Sequence, residues 1–293
     1  MNILDRIKNE YPKLSKRQKL IANFLLDNYD KAAYMTAAVL AKTVGVSEST
    51  VVRFAYALDF DGYPKMQRDF QEVIKNKLTI VQRLEFMEGL SSQEIIDAAF
   101  KMDANNLKGT QAHLSPETLD AVVEKIVHAR TVYLLGTRSS APLAQFLHYY
   151  MSYILDNIKL ITFGVGDLYS QGLYADERDV VIGISFPRYS SITVDGMRFF
   201  KAKVACVVAI TDNEDAPPAQ TADYTLITKS HMHSFVDSLV APLSLINTLI
   251  ILLGLSKKDE LMMNFEQLES IWKAGGIYST QEVDTQFEEL EDL

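Results

Sequence analysis

The second half of the chain alternates short apolar runs with segments of helical pattern, and this alternation most restricts its fold. Each run is apolar nearly throughout, which is typical of strands that are buried on both faces. Strands of that kind, separated by helices, predict an α/β domain with a doubly wound parallel sheet. The predicted strands are residues 132–135, 158–163, 180–185, 204–210 and 224–228, and the predicted helices are residues 115–129, 141–155, 191–201, 234–253 and 258–272.

Composition favours a folded protein from a reducing compartment. The 293 residues are 48% hydrophobic and include one cysteine, Cys206, which lies in an apolar run and has no partner for a disulfide. We expect it to be a core residue and not a reactive thiol. The N-terminus has no signal or transit peptide pattern. The longest apolar stretch, 239–255, contains Pro242 and is shorter than the roughly 20 apolar residues of a spanning helix. A bacterial cytoplasmic protein with a buried helix there is predicted.

Charge is unevenly distributed along the chain. Residues 1–77 contain 13 Lys and Arg against 9 Asp and Glu, a net charge of +4, whereas residues 78–293 contain 16 against 29, a net charge of −13. The whole chain has a net charge of −9. Because nucleic-acid binding depends on a local basic surface, this division indicates that only the first 77 residues contact phosphate.

These first 77 residues have the pattern of an all-α helix-turn-helix head. Ser15 and Gln18 have the spacing of a capping box, so a helix should run from there to about residue 28. Thr36 can cap a second helix, Gly45 suits the left-handed residue that ends it, and Ser47 can cap a third helix over about residues 48–58. Two short helices joined by such a turn are what a helix-turn-helix requires.

The third helix is the predicted recognition helix. Val51, Ala55 and Leu58 share one face and should pack inward. The opposite face offers small hydroxyls and one arginine, which can reach base edges in a major groove. The candidate DNA-binding residues are Ser47, Ser49, Thr50, Arg53 and Tyr56. On spacing alone, a three-helix bundle with a solvated polar face is the alternative.

The head also resembles a known family. The run 46–54, which reads Val-Ser-Glu-Ser-Thr-Val-Val-Arg-Phe, and the Phe-Asp-Gly-Tyr of residues 60–63 resemble the head of the ribose-phosphate-isomerase-regulator (RpiR) family of bacterial regulators. Asp59 stands where that family has a glycine. The resemblance implies that the helix-turn-helix binds operator DNA.

Four segments follow from these patterns. We predict a helix-turn-helix domain over residues 1–77, a helical linker or dimerisation arm over 78–114, an α/β domain over 115–280 and an acidic tail over 281–293. The tail has six Asp and Glu and is expected to be a solvated end.

Two loops at predicted strand ends have the composition of phosphate sites. In a doubly wound sheet, ligands bind at the carboxyl ends of the strands, where loops lead into helix N-termini. Loops 136–142 and 185–190 each place hydroxyls and an arginine before a helix, where free backbone N–H groups favour an anion. The candidate ligand-binding residues are Arg138, Ser139, Ser140, Ser185, Arg188 and Ser190. A simple helix cap is the alternative for either loop.

The second half resembles a sugar isomerase (SIS) domain over about residues 115–255. Gly136, Ser140 and Ala144 match its first loop motif, with Arg138 in place of a second glycine. Its second loop motif matches at Ile184, Ser185 and Ser190, with Pro187 and Arg188 in place of an inner serine and glycine. The resemblance implies that the domain over 115–280 is an SIS-type sugar-phosphate-binding domain, in which the matching serines hold the phosphate.

Arg138 and Arg188 help to predict which class of phosphosugar binds. An arginine adds a permanent charge where glycine would leave room, so Arg138 and Arg188 favour an acidic phosphosugar, such as a phosphorylated sugar acid. In the alternative, one or both arginines pair with nearby Asp or Glu and fill the pocket.

Sensing is favoured over catalysis. An isomerase needs a general base at the sugar, and His231 and His233 follow the last predicted strand, but histidines in a polar loop are more often hydrogen-bonded surface residues. The sequence has no metal-ligand cluster, Walker loop or nucleophile elbow, so no catalytic residue, cofactor or metal is predicted. We expect a homodimeric or homotetrameric transcriptional regulator of sugar metabolism, which binds operator double-stranded DNA and responds to a phosphorylated sugar or sugar acid. A sugar-phosphate isomerase with an accessory helical domain is the alternative.

Overall fold

The computed structural model describes residues 3–28, 32, 35–75, 84, 87–162, 166–203, 206–232 and 235–278. The chain separates into two compact units, one of Met1–Asn106 with Ser230–Ser238 and one of Leu107–Lys229 with Leu239–Leu293. The predicted acidic tail and His233 lie outside the described residues.

The first unit is helical. Its described helices are α1 (Ile3–Glu10), α2 (Lys16–Asp27), α3 (Ala37–Val44), α4 (Glu48–Ala57), α5 (Tyr63–Lys75) and α6 (Ser92–Gln111), the last of which continues into the second unit. A single 3-10 turn, Tyr11–Lys13, joins α1 to α2. The predictions did not include α1, although it supplies the fully buried Ile7 to the core.

The caps predicted in this unit are confirmed. Ser15 and Gln18 form both hydrogen bonds of a capping box at the start of α2. Thr36 accepts a hydrogen bond from Val39 N at the start of α3, and Gly45 ends that helix with a left-handed φ of 75°. Ser47 accepts a hydrogen bond from Thr50 N at the start of α4. The helix-turn-helix therefore spans α3 and α4, as the sequence indicated.

The end of α4 is fixed by a residue from the first helix. Arg6 Nη1 donates to the carbonyl oxygens of Leu58 (3.2 Å) and Asp59 (3.4 Å), and the guanidinium lies 5.0 Å from the ring centroid of Phe60. Asp59 has a φ of 64°, so it adopts the left-handed conformation that ends a helix. These contacts hold the recognition helix against α1.

The second unit contains the predicted parallel sheet. Its strands lie in the order β2-β1-β3-β4-β5, and every neighbouring pair is parallel. The strands are β1 (Val132–Gly136), β2 (Ile158–Leu160), β3 (Val180–Ile184), β4 (Cys206–Thr211) and β5 (Tyr224–Ile227). The helices are α7 (Pro116–Val127), α8 (Ala141–Ile154), α9 (Leu168–Gln171), α10 (Ser191–Lys201), α11 (Val240–Ser256) and α12 (Lys258–Gly275).

Both faces of the three central strands, β1, β3 and β4, are buried, as the unbroken apolar runs predicted, whereas the edge strands β2 and β5 are partly exposed. One face, which includes Leu134 and Ile182, packs with buried residues of α7, α8 and α11. The other face, which includes Tyr133 and Val181, packs with Phe200 of α10 and neighbouring residues. Cys206 belongs to the first of these cores, and burial raises the pKa of its thiol to about 11. The prediction of a structural cysteine is therefore confirmed.

The predicted start of the last long core helix is wrong. We expected a helix over 234–253, but α11 begins at Val240, and Ser238 instead donates a hydrogen bond to Asp103 of α6 (2.6 Å). Proline explains the later start. Pro242 lacks an N–H and disfavours a preceding helical turn, whereas it is tolerated in the first turn of α11. The second predicted strand, 158–163, is also shorter than expected and ends at Leu160.

Among the described helices, none alone is both long and apolar enough to span a membrane, and only the consecutive pair α11 and α12, bent by 99°, meets that criterion together. Several apolar side chains of α11, including Leu245, Leu249 and Leu253, are buried in the core that covers one face of the sheet.

Candidate DNA-binding surface and phosphate-binding loops

The recognition helix α4 presents the two faces that the sequence predicted. Val51, Ala55 and Leu58 are buried in the helical core. Arg53 and Tyr56 are exposed on the opposite side, and 60% of the Tyr56 surface is accessible. The exposed face is therefore free to contact a partner as far as the described residues show.

A small network of hydroxyls lies at the start of α4. Ser47 Oγ is 3.0 Å from Ser49 Oγ and 2.7 Å from Thr50 Oγ1. Ser47 and Ser49 are exposed, but Thr50 is only 6% exposed, which differs from its expected place beside Arg53 on the outer face. Thr50 lies four residues before the fully buried Phe54, so helical spacing places it at the edge of the inner face, and its hydroxyl also contacts the capping serine.

Arg53 lies along its own helix. Its Nε donates to the carbonyl oxygen of Ser49 (3.2 Å), which leaves the terminal guanidinium nitrogens without a hydrogen-bond or ion-pair partner among the described residues. A guanidinium held at its base and free at its tip can donate two parallel hydrogen bonds to a guanine edge or to a phosphate.

The first candidate phosphate loop follows β1 in a tight turn. A Cβ atom at Gly136 would lie 2.8 Å from the carbonyl oxygen of Ser140 and 3.1 Å from Cβ of Ala144, so the turn requires a glycine there. The three residues that match the SIS motif are thus packed against one another. Arg138 and Ser139 are exposed in a 3-10 turn, and Arg138 has a φ of 55°. Ser140 is buried and caps α8 without a side-chain hydrogen bond.

The second phosphate loop follows β3. Ser185 is buried, and its Oγ accepts a hydrogen bond from Ser190 N (3.3 Å), so one candidate hydroxyl positions the backbone of another. Ser190 precedes α10 and makes no side-chain cap, which leaves N–H groups of the first helical turn without a side-chain acceptor. Arg188 is exposed and has a φ of 64°.

The structure brings the two loops together. In the parallel pair of β1 and β3, Gly136 lies opposite Ile184, so both loops leave the same edge of the sheet at neighbouring positions. Thr137 Oγ1 is 2.8 Å from Oγ1 of Thr193, a fully buried residue in the first turn of α10. The sequence reasoning missed both threonines, because this contact joins positions that are distant in sequence.

A third loop, after β4, contacts the second loop at the same edge of the sheet. Tyr189 Oη donates to Asp212 Oδ1 (2.7 Å) and accepts a hydrogen bond from Asn213 Nδ2 (3.1 Å). Burial, with the nearby Asp212 carboxylate, raises the pKa of Tyr189 well above its ordinary value. Tyr189 is therefore a neutral phenol that ties the second loop to the end of β4, a role that the sequence reasoning did not find.

The two loop arginines are unpaired in the described part of the chain. Neither the Arg138 nor the Arg188 side chain forms a hydrogen bond or ion pair with another described residue, and both residues are exposed. The alternative in which they pair with neighbouring carboxylates and fill the pocket is not observed there. Two positive charges thus flank the N-termini of α8 and α10.

His231, one candidate base for isomerisation, is hydrogen-bonded to α6. Its Nδ1 lies 3.0 Å from Oδ1 of the buried Asn106 of α6, and its backbone carbonyl accepts from Asn106 Nδ2 (3.0 Å). Within the described residues, no group of three or more His, Cys, Asp or Glu could hold a metal ion.

The fold and these two sites define a helix-turn-helix regulator with a sugar isomerase domain, and the comparisons with known proteins agree. The model of the helix-turn-helix domain of the rpiR family matches residues 1–77, and the model of the SIS domain matches residues 125–252. The chain belongs to the RpiR family of transcriptional regulators.

Relatives are similar to this chain over most of its length, and a solved structure is similar to it over the sugar isomerase domain. An HTH-type transcriptional regulator of Haemophilus influenzae is 27% identical over 77% of this chain and 79% of its own length. The regulator HexR of Escherichia coli is 25% identical over 72% of each. The sugar isomerase domain of an RpiR transcription factor from Sphaerobacter thermophilus is 26% identical, with a TM-score of 0.56 over 58% of this chain and 96% of that one.

One solved structure matches nearly the whole chain. The NanR protein of Vibrio vulnificus, complexed with ManNAc-6P, is 18% identical, with a TM-score of 0.55 over 95% of this chain and 100% of that one. At this level of identity, the match shows that the fold is shared.

Proposed function

We propose that this protein binds operator DNA through α4 and that a phosphorylated sugar acid, bound at the carboxyl ends of β1 and β3, changes its affinity for that operator. The observation that carries the proposal is the pair of joined loops. Each leads into a helix without a side-chain cap, and each carries an unpaired arginine.

The phosphate would bind between the two loops. Helix N-termini offer N–H groups and a partial positive charge, and both ends here open toward one edge of the sheet. Ser139 and Ser190 can add hydroxyl contacts, with Ser140 and Ser185 buried behind them. The fold shared with a protein solved in complex with ManNAc-6P supports a phosphosugar as the ligand class.

The arginines would select an acidic ligand. A single phosphate can already be held by the helix ends, so two further permanent charges, Arg138 and Arg188, suit a ligand with a second anionic group. A carboxylate can accept a bidentate pair of hydrogen bonds from a guanidinium. A phosphorylated sugar acid provides both groups.

Operator recognition would depend on the exposed face of α4. Ser49, Arg53 and Tyr56 lie on it, Ser47 fixes the helix start, and Thr50 contributes chiefly through its bond to Ser47. Heads of this kind act in pairs on two half-sites, so we propose a homodimer or homotetramer. The ligand must bind one arrangement of the heads more tightly than the other, since equal binding would shift nothing.

The hydrogen bonds of His231 agree better with a sensing role for the protein than with a catalytic one. Its imidazole is bonded to Asn106, and the relatives are transcriptional regulators. We therefore expect phosphosugars to bind without conversion.

The test is a thermal-shift titration with 6-phosphogluconate, glucose 6-phosphate and gluconate. A ligand that binds only the folded protein raises its melting temperature by mass action, so 6-phosphogluconate should stabilise most. Arg188→Ala and Arg138→Ala should reduce that shift. Arg198→Ala should not, since Arg198 lies at the far end of α10 and pairs with Asp195 (2.9 Å).

Two results would contradict the ligand proposal: stronger stabilisation by glucose 6-phosphate that survives Arg188→Ala, or no stabilisation by any phosphosugar. Operator binding is tested separately, with a duplex that the full-length protein selects from a random library. A bound phosphosugar should change its affinity, and failure to enrich any sequence would contradict operator binding.

A further inference from the structure

A cleft of about 460 Å³ lies beside the recognition helix, between the first turn of α2 and α4. Its walls contain three basic side chains and no carboxylate. They are formed by Ser15, Lys16, Arg17, Gln18, Thr50 and Arg53. A concave surface lined by three cations and hydroxyl or amide groups is suited to an anion.

The cations in this cleft are available. Lys16 and Arg17 are exposed, and their side chains form no hydrogen bond or ion pair with another described residue. Other lysines of the same unit differ, since Lys13 pairs with Glu10 (2.9 Å) and Lys65 pairs with Asp61 (2.8 Å). The positive charge at the cleft is therefore not neutralised by neighbouring carboxylates.

The cleft is also built in a fixed position relative to α4. Gln18 completes the capping box of α2 and its Nε2 donates to the carbonyl oxygen of Arg53 (3.5 Å), which ties the two helices together. Arg53 is in turn held along α4 by its bond to Ser49. The spacing between the basic residues of α2 and the exposed face of α4 is thus set before any partner binds.

We propose that this cleft binds a phosphate of the DNA backbone next to the base pairs that α4 contacts, with Lys16 and Arg17 as the phosphate-binding residues. The proposal depends on the proposed operator binding and specifies how the head is positioned on the duplex. Phosphate contacts fix register and orientation and do not depend on base sequence. Lys16 and Arg17 therefore act differently from Arg53.

The test is the salt dependence of binding to a short duplex of random sequence, measured by fluorescence anisotropy over about 50–200 mM salt. Each lost phosphate contact reduces the slope of log K against log[salt] by about 0.9. Lys16→Gln and Arg17→Gln should each show that change, and affinity near 0.1 M salt should fall roughly eightfold for each contact. For each variant, the loss of affinity should be the same on a selected operator as on a scrambled duplex.

Matched variants make the result specific. Lys13→Gln and Lys65→Gln remove one charge each from ion-paired, exposed positions and should leave the slope unchanged. Arg17→Lys keeps the charge and should keep the slope.

Two outcomes would overturn the proposal: unchanged slopes in both glutamine variants while the wild type binds DNA, or equal changes in the two control variants. Failure of the wild-type protein to bind any duplex is a separate result and would overturn the proposed operator binding first.

Discussion

Arg138 and Arg188 adopt the same left-handed backbone conformation, with φ angles of 55° and 64°, in the loops that follow the neighbouring strands β1 and β3. Among the described non-glycine residues, only these two and Asp59 have a positive φ. All three stand where the family motifs have glycine. The backbone has therefore kept the conformation of a glycine while the side chain changed, and each substitution carries a steric cost of about 1–2 kcal/mol.

Restoring glycine should separate stability from ligand binding. We expect Arg138→Gly and Arg188→Gly each to leave the free energy of unfolding unchanged or to raise it by up to about 1 kcal/mol, because strain is relieved while the unfolded chain gains freedom. Both variants should bind 6-phosphogluconate more weakly. Denaturant unfolding and thermal-shift titration measure the two effects.

Asp59→Gly is the matched control for this experiment. This substitution relieves the steric cost of the same left-handed conformation, at a φ of 64°. The residue lies in the first unit, at the end of α4. It should therefore show the stability effect with unchanged phosphosugar binding. A loss of more than about 1 kcal/mol in the arginine variants would show that their side chains stabilise the fold and are not strained additions.

The features that the sequence predicted correctly depend on local chemistry. Ser15, Thr36 and Ser47 cap helices because a cap requires only a hydroxyl and an N–H three residues later. The strands were found because a run buried on both faces is apolar at every position, as in β1 and β3. The family motifs then gave the correct classification.

The features that the sequence did not predict depend on contacts between distant positions. The bond between Thr137 and Thr193 and the bond between Tyr189 and Asp212 join residues 56 and 23 positions apart. Neither has a local pattern. Thr50 shows a different kind of error, because it lies four residues before the buried Phe54 and helical spacing therefore places it at the edge of the inner face and not beside Arg53.

Removal of the Ser47 hydroxyl should destabilise the head. Ser47→Ala removes the acceptor for Thr50 N and the partner of two other hydroxyls, and should lower the free energy of unfolding by about 1 kcal/mol. Ser47→Asp should restore it, since aspartate caps as well as serine does. An unchanged melting temperature in the alanine variant would contradict the role.

Arg53 should contribute to sequence discrimination. If its free guanidinium tip pairs with a guanine, Arg53→Ala will cost about 1–3 kcal/mol on the selected operator and much less on a scrambled duplex. Competition anisotropy with the two duplexes measures both values. Equal losses on the two would make Arg53 a phosphate contact, like the one proposed for Arg17.

The threonine pair between the phosphate loops should show strong energetic coupling. Thr137→Val leaves the fully buried Thr193 hydroxyl without its partner, so we expect a loss of about 1–3 kcal/mol, and the same for Thr193→Val. In the double variant, two apolar groups of similar shape face each other and no polar group is left unsatisfied. Its loss should therefore be smaller than the sum of the single losses, by about 0.5–3 kcal/mol.

Denaturant unfolding of the wild type and the three variants gives this coupling energy directly. Strictly additive losses would mean that the 2.8 Å contact contributes no free energy and does not align the loops. If the contact does align them, the double variant should regain stability without regaining affinity for 6-phosphogluconate. The reason is that the valines restore packing, whereas the orientation of Thr137 between Gly136 and Arg138 depends on its hydroxyl bond to α10.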